Sequence, residues 1–240
     1  MSLGPKLSII TVVLNDSENF SKTVRSISQA NYKNIEFIVI DGGSTDGTLE
    51  VIKSYKSWIT EYCSEQDSGL YDAMNKGLDR ATGEWLLFLN AGDVLVSNEL
   101  IGQVLRSEII SEVNFLYGDS IIKYHNFERL QLAGNINDIQ YGMQFSHQSV
   151  FIRQAYHREH KYNLNHKLCA DFFLIYHAFC QGEKFLYVGI PVAMVASGGL
   201  SDKNREYVFW SFWRIVGFKD CGINLYYVFN IVSSCCKRVL

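Results

Sequence analysis

Apolar and polar positions alternate along residues 7–95 in a pattern that predicts strands separated by helices. Runs rich in β-branched and aromatic residues predict strands at 7–13, 35–40, around 58–63 and at 85–89. Between them, apolar residues three or four positions apart predict helices around 20–27, 49–55 and 71–81. Strands that alternate with helices form right-handed βαβ units. The pattern therefore predicts an α/β fold with a Rossmann-like, mostly parallel central sheet and flanking helices.

The second half of the chain has a less regular pattern. It predicts strands at 115–119, 120–124 and 185–188, a helix at 170–179 and a loop at 197–201. From Tyr207 onward, apolar residues recur at helical spacing, namely Val208, Phe209, Phe212, Trp213 and Val216. Neither an internal repeat nor a proline-rich hinge divides the chain. We therefore expect one α/β domain over residues 1–203 and an amphipathic helical extension over residues 204–240.

The most informative segment is the polar turn Asn90-Ala91-Gly92-Asp93, which follows the strand predicted at 85–89. In open α/β sheets, ligands bind just beyond the carboxyl ends of the strands. A carboxylate at this position, here Asp93, can hold a hard divalent cation, which in turn can hold a diphosphate. The alternative is that Asp93 only caps the helix that follows.

Two other polar segments are candidates for holding a nucleotide. Asp41 ends the second predicted strand before two glycines, and its carboxylate can accept hydrogen bonds from a base or a ribose. In the polar segment 65–77, Asp67 is a candidate hydrogen-bond partner and Lys76 a candidate cation for phosphate. Neither segment is a P-loop or a G-x-G-x-x-G dinucleotide motif. Helix capping and a solvated lysine explain the same residues without a ligand.

In their order and spacing, these motifs resemble those of the family 2 glycosyltransferases, which have the GT-A fold. The resemblance rests on Thr11-Val-Val-Leu-Asn15, Asp41-Gly-Gly-Ser-Thr-Asp-Gly-Thr48, Glu65 to Gly77, Ala81 to Glu84 and Leu89 to Asp93. It is strongest over residues 7–95 and weaker to about residue 200. The pattern is similar to that of bacterial transferases that build exopolysaccharide, capsule or O-antigen, including the colanic-acid type.

The resemblance implies a donor site for a nucleotide-diphosphate sugar, either a UDP-sugar or a GDP-sugar. Asp41 would contact the base, and the pocket would be lined by Thr11, Asn15, Asp67, Lys76, Asn90, Ala91 and Gly92. Asn90 stands where the family usually carries the first acid of an Asp-x-Asp, so Asp93 alone keeps a carboxylate for Mg²⁺ or Mn²⁺. The diphosphate and water can supply the remaining ligands of such an ion.

The second half resembles the acceptor side of the family. Asp171 would be the general base of an inverting transfer, and His147 and Gln148 would line the acceptor or sugar site. The glycines of 197–201 would let that loop close over the donor and exclude water. The resemblance implies a saccharide or lipid-linked acceptor in cell-surface polysaccharide biosynthesis. A helix N-cap for Asp171 and a packed imidazole for His147 are the alternatives.

Composition narrows the choice of function. With 240 residues, of which 48% are hydrophobic, and a net charge of −3, the chain suits an ordered domain and offers no global charge for nucleic acid. Six scattered cysteines without a C-x-x-C pair, no secretory leader and no long apolar run predict a cytoplasmic protein that does not span a membrane. The basic, aromatic extension suits the inner face of the cytoplasmic membrane. Packing on its own domain, or on a second subunit as a homodimer, suits it equally.

Two other functions remain open from the sequence. A nucleotidyltransferase on a related fold would need a basic, glycine-rich loop after the first strand, and residues 11–15 lack one. A non-catalytic nucleotide-sugar-binding protein would explain the incomplete Asp-x-Asp at Asn90. The favoured prediction is an enzyme that moves a sugar to a hydroxyl acceptor with inversion and with the help of a metal ion.

Overall fold

The computed structural model describes residues 4–105, 108–217 and 221–236. Its strands are β1 (Leu7–Val13), β2 (Ile35–Asp41), β3 (Glu61–Ser64), β4 (Trp85–Phe88), β5 (Val94–Leu95), β6 (Phe115–Lys123), β7 (Glu128–Gln131), β8 (Val150–Arg153) and β9 (Phe185–Ala196). Its α-helices are α1 (Ser17–Ser28), α2 (Thr48–Ser54), α3 (Leu70–Arg80), α4 (Leu100–Leu105), α5 (Gln154–Glu159), α6 (Ala170–Cys180), α7 (Leu200–Lys203), α8 (Arg205–Val216) and α9 (Cys221–Cys236). Short 3-10 helices cover Glu108–Glu112, Ile136–Tyr141 and His147–Ser149.

One sheet runs through the molecule in the order β3-β2-β1-β4-β8-β6-β9-β5, with β7 paired to β6. The neighbours β3, β2, β1 and β4 are parallel, which confirms the mostly parallel central sheet that the alternating pattern predicts. Strand β8 joins this half to the rest, because it pairs antiparallel with both β4 and β6. Strands β6 and β9 are again parallel, and β5 and β7 add antiparallel pairs.

Helices cover both faces of the central strands, and every residue of β1 is buried. Leu7, Ile9 and Val13 of β1 pack in the core on the side of α1 and α4. Ile10 and Val12 pack in the core on the side of α3, α6 and α8. Side chains alternate between the two faces of a strand, so one strand contributes to both cores. The predicted α/β fold with flanking helices is therefore confirmed.

Several strands differ from their predicted bounds. β3 begins at Glu61, since Trp58 lies in the turn after α2 with 56% of its surface exposed. The strands predicted at 115–119 and 120–124 form the single strand β6. β9 extends to Ala196, beyond the predicted 185–188, and its register against β6 shifts on both sides of the Asp119–Pro191 pair. This irregularity accommodates a proline, which has no N–H to donate.

The C-terminal extension packs on the domain. The predicted boundary at 203/204 falls between α7 and α8. Phe212 of α8 stacks on Phe172 of α6 with ring centroids 3.9 Å apart, and Val216 is buried beside it. The apolar face predicted for α8 thus contacts the protein, which agrees with packing on its own domain. Within the described ranges, every helix is too short or too polar to cross a bilayer.

Candidate active site

The candidate site lies at the edge of the sheet where the parallel strands end. β1 ends shortly before Asn15, β2 ends at Asp41, and β4 leads into the turn 90–93. Backbone hydrogen bonds of 2.9 and 3.2 Å tie the residues after β2 and β4 to the end of β1. Because parallel strands end at the same edge, the polar segments that the sequence singles out come together there.

Asp41 organises the loop after β2. Its side chain is fully buried and accepts hydrogen bonds from the Ser44 hydroxyl at 2.5 Å, the Ser44 N–H at 3.2 Å and the Ser64 hydroxyl at 2.6 Å. The Asn15 side chain accepts from the Thr45 N–H at 2.8 Å, which ties the same loop to the end of β1. Each carboxylate oxygen has two lone pairs, so Asp41 can still accept a hydrogen bond from a base. The contact with a base stays a prediction.

Thr11 and Asn15 shape the end of β1. The Thr11 hydroxyl is buried and donates to the Leu89 carbonyl at 2.6 Å, which ties β1 to the residue after β4. Asn15 has a φ of +50°, and it is the one non-glycine residue of the described ranges with a positive φ. Such a conformation persists only where the surroundings impose it, and it clusters at functional sites.

Asp67 packs against Gly42 at the same edge. A Cβ atom on Gly42 would clash with the Asp67 carboxylate, so only glycine allows this close approach. Lys76 donates to the Gln66 carbonyl at 2.9 Å and forms an ion pair with Glu65 at 2.9 Å. These bonds anchor the loop that carries Asp67, and the predicted contact of Lys76 with phosphate stays a prediction.

A threonine from α1, which the sequence does not reveal, fixes the turn 90–93. The Thr23 hydroxyl donates to the Asp93 carbonyl at 2.8 Å and accepts from the Gly92 N–H at 3.0 Å. Gly92 has a φ of +98°, which residues with a side chain rarely adopt. Thr23 lies among the buried apolar residues of α1, so the sequence pattern marks it only as a core position.

Asp93 is the buried acid of this turn. Only 6% of its surface is exposed, and its carboxylate accepts from the Gln148 side chain at 3.1 Å. Burial raises the pKa of Asp93 to about 7, while hydrogen bonds from Gln148 and from backbone N–H groups act in the opposite direction. A carboxylate with so little compensation for its burial is stabilised by a nearby cation.

The oxygen atoms of this turn fit a hard divalent ion. The side-chain oxygen of Asn90 is buried and has no hydrogen-bond partner among the described residues. An amide oxygen and a carboxylate are ligand types that Mg²⁺ and Mn²⁺ accept. In the described part of the chain, no group of three or more Asp, Glu, His or Cys side chains gathers in a metal-binding arrangement. A divalent ion would therefore rely on Asp93, Asn90, a diphosphate and water.

Asp171 is the second residue of α6. The hydroxyl of Tyr71, from α3, donates to Oδ1 of Asp171 at 2.8 Å, and the Phe172 N–H donates to the same atom at 2.8 Å. Burial, followed by the negative charge of Asp171, raises the pKa of Tyr71 well above 10, so the phenol remains a donor. Within the described structure these bonds end at Oδ1, which leaves Oδ2 to take a proton.

A narrow cleft without room for a water molecule lies beside Asp171. Its walls include Met143, His147, Val150, Tyr162, Asp171 and Ile175. The Nε2 atom of His147 is buried and has no hydrogen-bond partner among the described residues. Burial lowers the pKa of His147, although the charge of Asp171 acts in the opposite direction, so the imidazole is neutral near pH 7. The unpaired Nε2 atom is a candidate partner for a ligand, which requires the walls of the cleft to move apart.

The short helix His147–Ser149 links the two acids. His147 lines the cleft of Asp171, and the next residue, Gln148, bonds to the carboxylate of Asp93. The His147 ring lies 6.2 Å from the ring of Phe88, which ends β4. The structure therefore brings four predicted site residues together in one site: Asp93, His147, Gln148 and Asp171.

The loop predicted to close over the donor lies next to this site. β9 ends at Ala196, whose backbone is among the groups that lower the pKa of Asp93 against the effect of burial. Gly198 has a φ of +82°, and its N–H donates to the Asp202 side chain at 2.9 Å. The placement suits a loop that contacts the donor, and the closing motion stays a prediction.

Sequence reasoning missed two tyrosines of the site. Tyr71 stands at an apolar position of α3, and its acceptor lies 100 residues further along the chain. The ring of Tyr162 packs on Tyr71 at 5.1 Å and on Phe88 at 5.5 Å, between centroids. The dense polar segment 65–77 was the one signal that pointed to Tyr71, and nothing marked Tyr162.

Known sequences similar to this chain are sugar transferases. The sequence model described as "Glycosyl transferase family 2" matches residues 8–153. A "PGL/p-HBAD biosynthesis glycosyltransferase" of Mycobacterium bovis (strain BCG / Pasteur 1173P2) is 32% identical over 210 residues, which cover 83% of this chain and 80% of the relative. Both matches are long enough to show a family.

Solved structures share the fold. TarS 1–349 of S. aureus in complex with UDP has a TM-score of 0.70 at 16% identity and matches 88% of this chain. This chain spans 64% of that TarS chain, which is just under two thirds. The mannosyltransferase PcManGT of Pyrobaculum calidifontis, in complex with GDP-Man and Mn²⁺, has a TM-score of 0.70 at 14% identity. That match covers 97% of this chain and 74% of PcManGT.

Proposed function

Because this chain belongs to glycosyl transferase family 2, we propose that it transfers a sugar from a nucleotide-diphosphate sugar to a hydroxyl group, with inversion at the anomeric carbon. The predicted family and the predicted GT-A fold are confirmed. Inversion, the acceptor and a role in exopolysaccharide, capsule or O-antigen synthesis of the colanic-acid type belong to the proposal.

One observation supports the proposal most strongly. A buried acid suited to a divalent ion, Asp93, and a carboxylate suited to a base, Asp171, are linked through the helix His147–Ser149. A transferase needs both groups, since the leaving diphosphate gains negative charge while the acceptor hydroxyl loses a proton. A protein that only binds the donor has no need of a carboxylate oriented as Asp171 is.

In the proposed reaction, Oδ2 of Asp171 takes the proton of the acceptor hydroxyl. The acceptor oxygen forms a bond to the anomeric carbon as the bond from that carbon to the diphosphate oxygen breaks. The nucleoside diphosphate leaves with the electron pair. Tyr71 keeps the carboxylate of Asp171 in place by donating to Oδ1. The unpaired Nε2 of His147 is available to hydrogen-bond the sugar or the acceptor.

Asp93 and Asn90 are the residues that would hold Mg²⁺ or Mn²⁺. When bound, such an ion would supply positive charge beside the departing diphosphate. Gln148 would orient Asp93 through its hydrogen bond of 3.1 Å. The solved structure of PcManGT, which has a similar fold, is a complex with GDP-Man and Mn²⁺, and this supports a divalent ion here.

The loops around Asp41, Asn15 and Asp67 are proposed to bind the nucleotide, together with Thr11 and Lys76. TarS binds UDP and PcManGT binds GDP-Man, which supports a UDP-sugar or a GDP-sugar as donor. The backbone of Ala91 and Gly92, in the turn 90–93, would lie against the diphosphate.

For the acceptor we propose a saccharide or a lipid-linked saccharide, and for the location the cytoplasm at the inner face of the membrane. The mycobacterial relative is named for PGL/p-HBAD biosynthesis, which differs from the expected polysaccharide. The net charge of −3 supports a site for small molecules and sugars over nucleic acid. A homodimer is the alternative use of the exposed extension.

Thermal unfolding with nucleotides tests the donor site. The midpoint is measured with UDP, GDP, CMP or dTDP, each in the presence of EDTA, Mg²⁺ or Mn²⁺. We expect one nucleoside diphosphate to raise the midpoint, and to raise it further with a divalent ion, because a ligand of the folded state stabilises that state. Asp93→Asn should lose the ion-dependent part of this rise. Without any ligand, its unfolding midpoint should equal that of the wild type.

Turnover of Asp171→Asn tests the base. We expect the same nucleotide stabilisation as in the wild type and a turnover that is lower by roughly a hundredfold or more. Turnover near the wild-type rate would refute the assignment of Asp171. Wild-type protein that binds a nucleotide but neither transfers nor hydrolyses any donor would be a binding protein. Release of pyrophosphate instead of nucleoside diphosphate would identify a nucleotidyltransferase.

A further inference from the structure

Helix α9 turns an apolar stripe away from the protein. Leu225, Val228, Phe229 and Val232 lie on successive turns and expose 64%, 44%, 72% and 56% of their surface. The 16 residues of the helix include no charged side chain. A contiguous row of large apolar side chains is unusual on a protein surface and marks a place that another surface covers.

The opposite face of α9 is fixed to the domain. Ile223 and Tyr227 are buried, and the Tyr227 hydroxyl donates to the Gln140 carbonyl at 2.8 Å. Trp213 of α8 donates to the Asn224 side chain at 2.8 Å. A helix of 16 residues is about 24 Å long, whereas the hydrocarbon core of a bilayer is about 30 Å thick. Helix α9 therefore suits a position along a membrane surface and not across one.

Helix α8 exposes side chains that suit the same surface. Tyr207 and Trp210 are exposed one turn apart, and Arg214 is exposed on the next turn. Tyrosine and tryptophan prefer the boundary between water and the lipid headgroups, and arginine pairs with lipid phosphate. Phe212 and Val216 on the other face are buried against the domain. The exposed and the buried face of α8 are thus distinct.

The charge of the extension distinguishes the surfaces that can cover the stripe. Residues 204–240 contain five Lys and Arg against two Asp and Glu, a net charge of +3, whereas residues 1–203 carry a net charge of −6. These charged residues stand before and after α9 in the sequence and not within it, and two copies of this net-positive extension would repel one another in a symmetric dimer. An anionic bilayer attracts a basic segment and also accepts an apolar stripe.

We propose that α8 and α9, called here the membrane-facing pair, bind the surface of an anionic lipid bilayer with α9 lying in its plane. The sequence pattern places the candidate membrane surface on the apolar positions of α8. The structure buries the centre of that face and exposes α9 instead. No residue of the candidate active site takes part in this contact, so the inference stands or fails apart from the proposed transfer.

The membrane-facing pair also holds the helix that carries Asp171. Phe212 of α8 stacks on Phe172 of α6, the residue next to Asp171, with ring centroids 3.9 Å apart. Binding of the pair to a bilayer therefore brings the base close to the lipid surface. In this respect the inference rests on the proposed function, since a lipid-linked acceptor would present its hydroxyl group at that surface.

Flotation with lipid vesicles tests the inference. The full chain is mixed with phosphatidylcholine vesicles that contain or lack phosphatidylglycerol, and the bound fraction is measured. We expect strong binding to the anionic vesicles, weak binding to the neutral ones, and release at high salt. The double variant Val228→Ser/Phe229→Ser should bind the anionic vesicles at least roughly tenfold more weakly, because it removes two inserted apolar side chains.

Trp58→Ser is the matched control, because Trp58 is also a large exposed side chain and lies beside the edge strand β3. Its vesicle binding should equal that of the wild type, and both variants should keep the wild-type unfolding midpoint. The inference is overturned if the wild type does not float, if the double variant floats as well as the wild type, or if Trp58→Ser loses binding equally. Light scattering that shows a wild-type dimer and a monomeric double variant would also overturn it, in favour of a second copy.

Discussion

The carboxylate of Asp171 is held by a hydroxyl group from another helix, and the effect of this bond is measurable. Tyr71→Phe keeps the buried ring and removes one donor that stabilises the charged carboxylate. We expect kcat to fall roughly tenfold, with the KM for the donor near the wild-type value. The acid limb of the pH profile of kcat should move to higher pH. Initial rates over a range of donor concentrations give kcat and KM, and the same series repeated over a range of pH gives the profile of kcat.

Tyr156→Phe provides the control for this variant. Tyr156 is also buried, but its hydroxyl lies 3.4 Å from the Gln181 side chain, away from the cleft of Asp171. It should keep the shape of the wild-type pH profile. A profile for Tyr71→Phe that has the wild-type shape and height would mean that Tyr71 does not orient the base.

The sequence identifies the acids of the site better than their partners. Asp93 and Asp171 stand in motifs whose spacing is visible along the chain, and the structure links them through Gln148 and its neighbour. Tyr71 and Thr23, which hold these acids, come from other elements of the fold. Which side chains meet across such distances depends on the packing of helices on the sheet, and a single sequence does not contain that information.

A buried histidine predicts how stability depends on pH. His157 packs on Tyr162 at 4.6 Å between ring centroids, and burial lowers its pKa from 6.5 to about 4. Above pH 6.5 the imidazole is neutral in both the folded and the unfolded state, so its contribution to stability is constant. As the pH falls from 6.5 to 4, the unfolded chain binds a proton that the folded protein does not. His157 should therefore lower the free energy of unfolding by about 3 kcal/mol over this range. Asp93 acts in the opposite direction, because its pKa, raised to about 7, lets the folded protein bind a proton that the unfolded chain does not bind.

Urea unfolding at a series of pH values checks this expectation. Between pH 6.5 and 4, the wild type should lose about 3 kcal/mol relative to His157→Phe, because the variant lacks the titrating imidazole while both proteins keep Asp93. His125→Gln changes an exposed histidine and should follow the wild type at every pH. If the wild type and His157→Phe lose stability in parallel, the acid sensitivity has another source.

At the scale of secondary structure, the turn between β4 and β5 depends on α1. Thr23→Val keeps the branched shape but removes the donor to the Asp93 carbonyl and the acceptor of the Gly92 N–H. We expect a loss of about 1–3 kcal/mol in the free energy of unfolding, because buried polar groups remain unpaired. The ion-dependent stabilisation by nucleotide should also weaken, since Asp93 loses its fixed position. Urea unfolding and the nucleotide thermal shift measure the two effects.

Ser28→Ala is the control on the same helix. The Ser28 hydroxyl makes an exposed hydrogen bond of 2.8 Å to the Arg25 carbonyl. Its loss should change the free energy of unfolding by less than about 0.5 kcal/mol and should leave nucleotide binding unchanged. An equal effect of both variants would show that the bonds of Thr23 to the turn contribute nothing specific.

The sequence best predicts the strands whose residues are buried on both faces of the sheet. β1, β2 and β4 are short, mostly apolar runs because both of their faces are covered, and the pattern reveals them directly. β5 has two residues and β7 has four exposed ones, so neither has a pattern of its own. They exist because a neighbouring strand offers hydrogen-bonding partners. In the same way, the contacts of α9 with the domain determine which of its faces is exposed, and its apolar sequence does not.

At the scale of the whole molecule, the two halves of the sheet carry different parts of the proposed reaction. The matched family span, 8–153, contains the four parallel strands, the turn 90–93 and the helix His147–Ser149. Asp171 and the membrane-facing pair lie beyond it, in the part that would receive the acceptor. Strand β8 joins the two parts, because it pairs with β4 on one side and β6 on the other.

Packing between Phe212 and Phe172 indicates that the extension and the domain unfold together, although the sequence places a boundary at 203/204. Phe212→Ala should lower the free energy of unfolding by about 3–5 kcal/mol, since it empties a buried site in the shared core. Tryptophan fluorescence and far-UV circular dichroism should report one urea transition for the wild type and one for the variant. Turnover should fall as well, because Phe172 adjoins Asp171.

Phe229→Ala separates this effect from the mere loss of an aromatic ring in the extension. Phe229 is exposed on α9, so its truncation should change the free energy of unfolding by less than about 0.5 kcal/mol. Two separate transitions in the wild type, with only the earlier one shifted by Phe212→Ala, would mean that residues 204–240 form an independent unit. A single shared transition would instead mean that the surface proposed to meet the bilayer is part of the cooperative structure that positions the base.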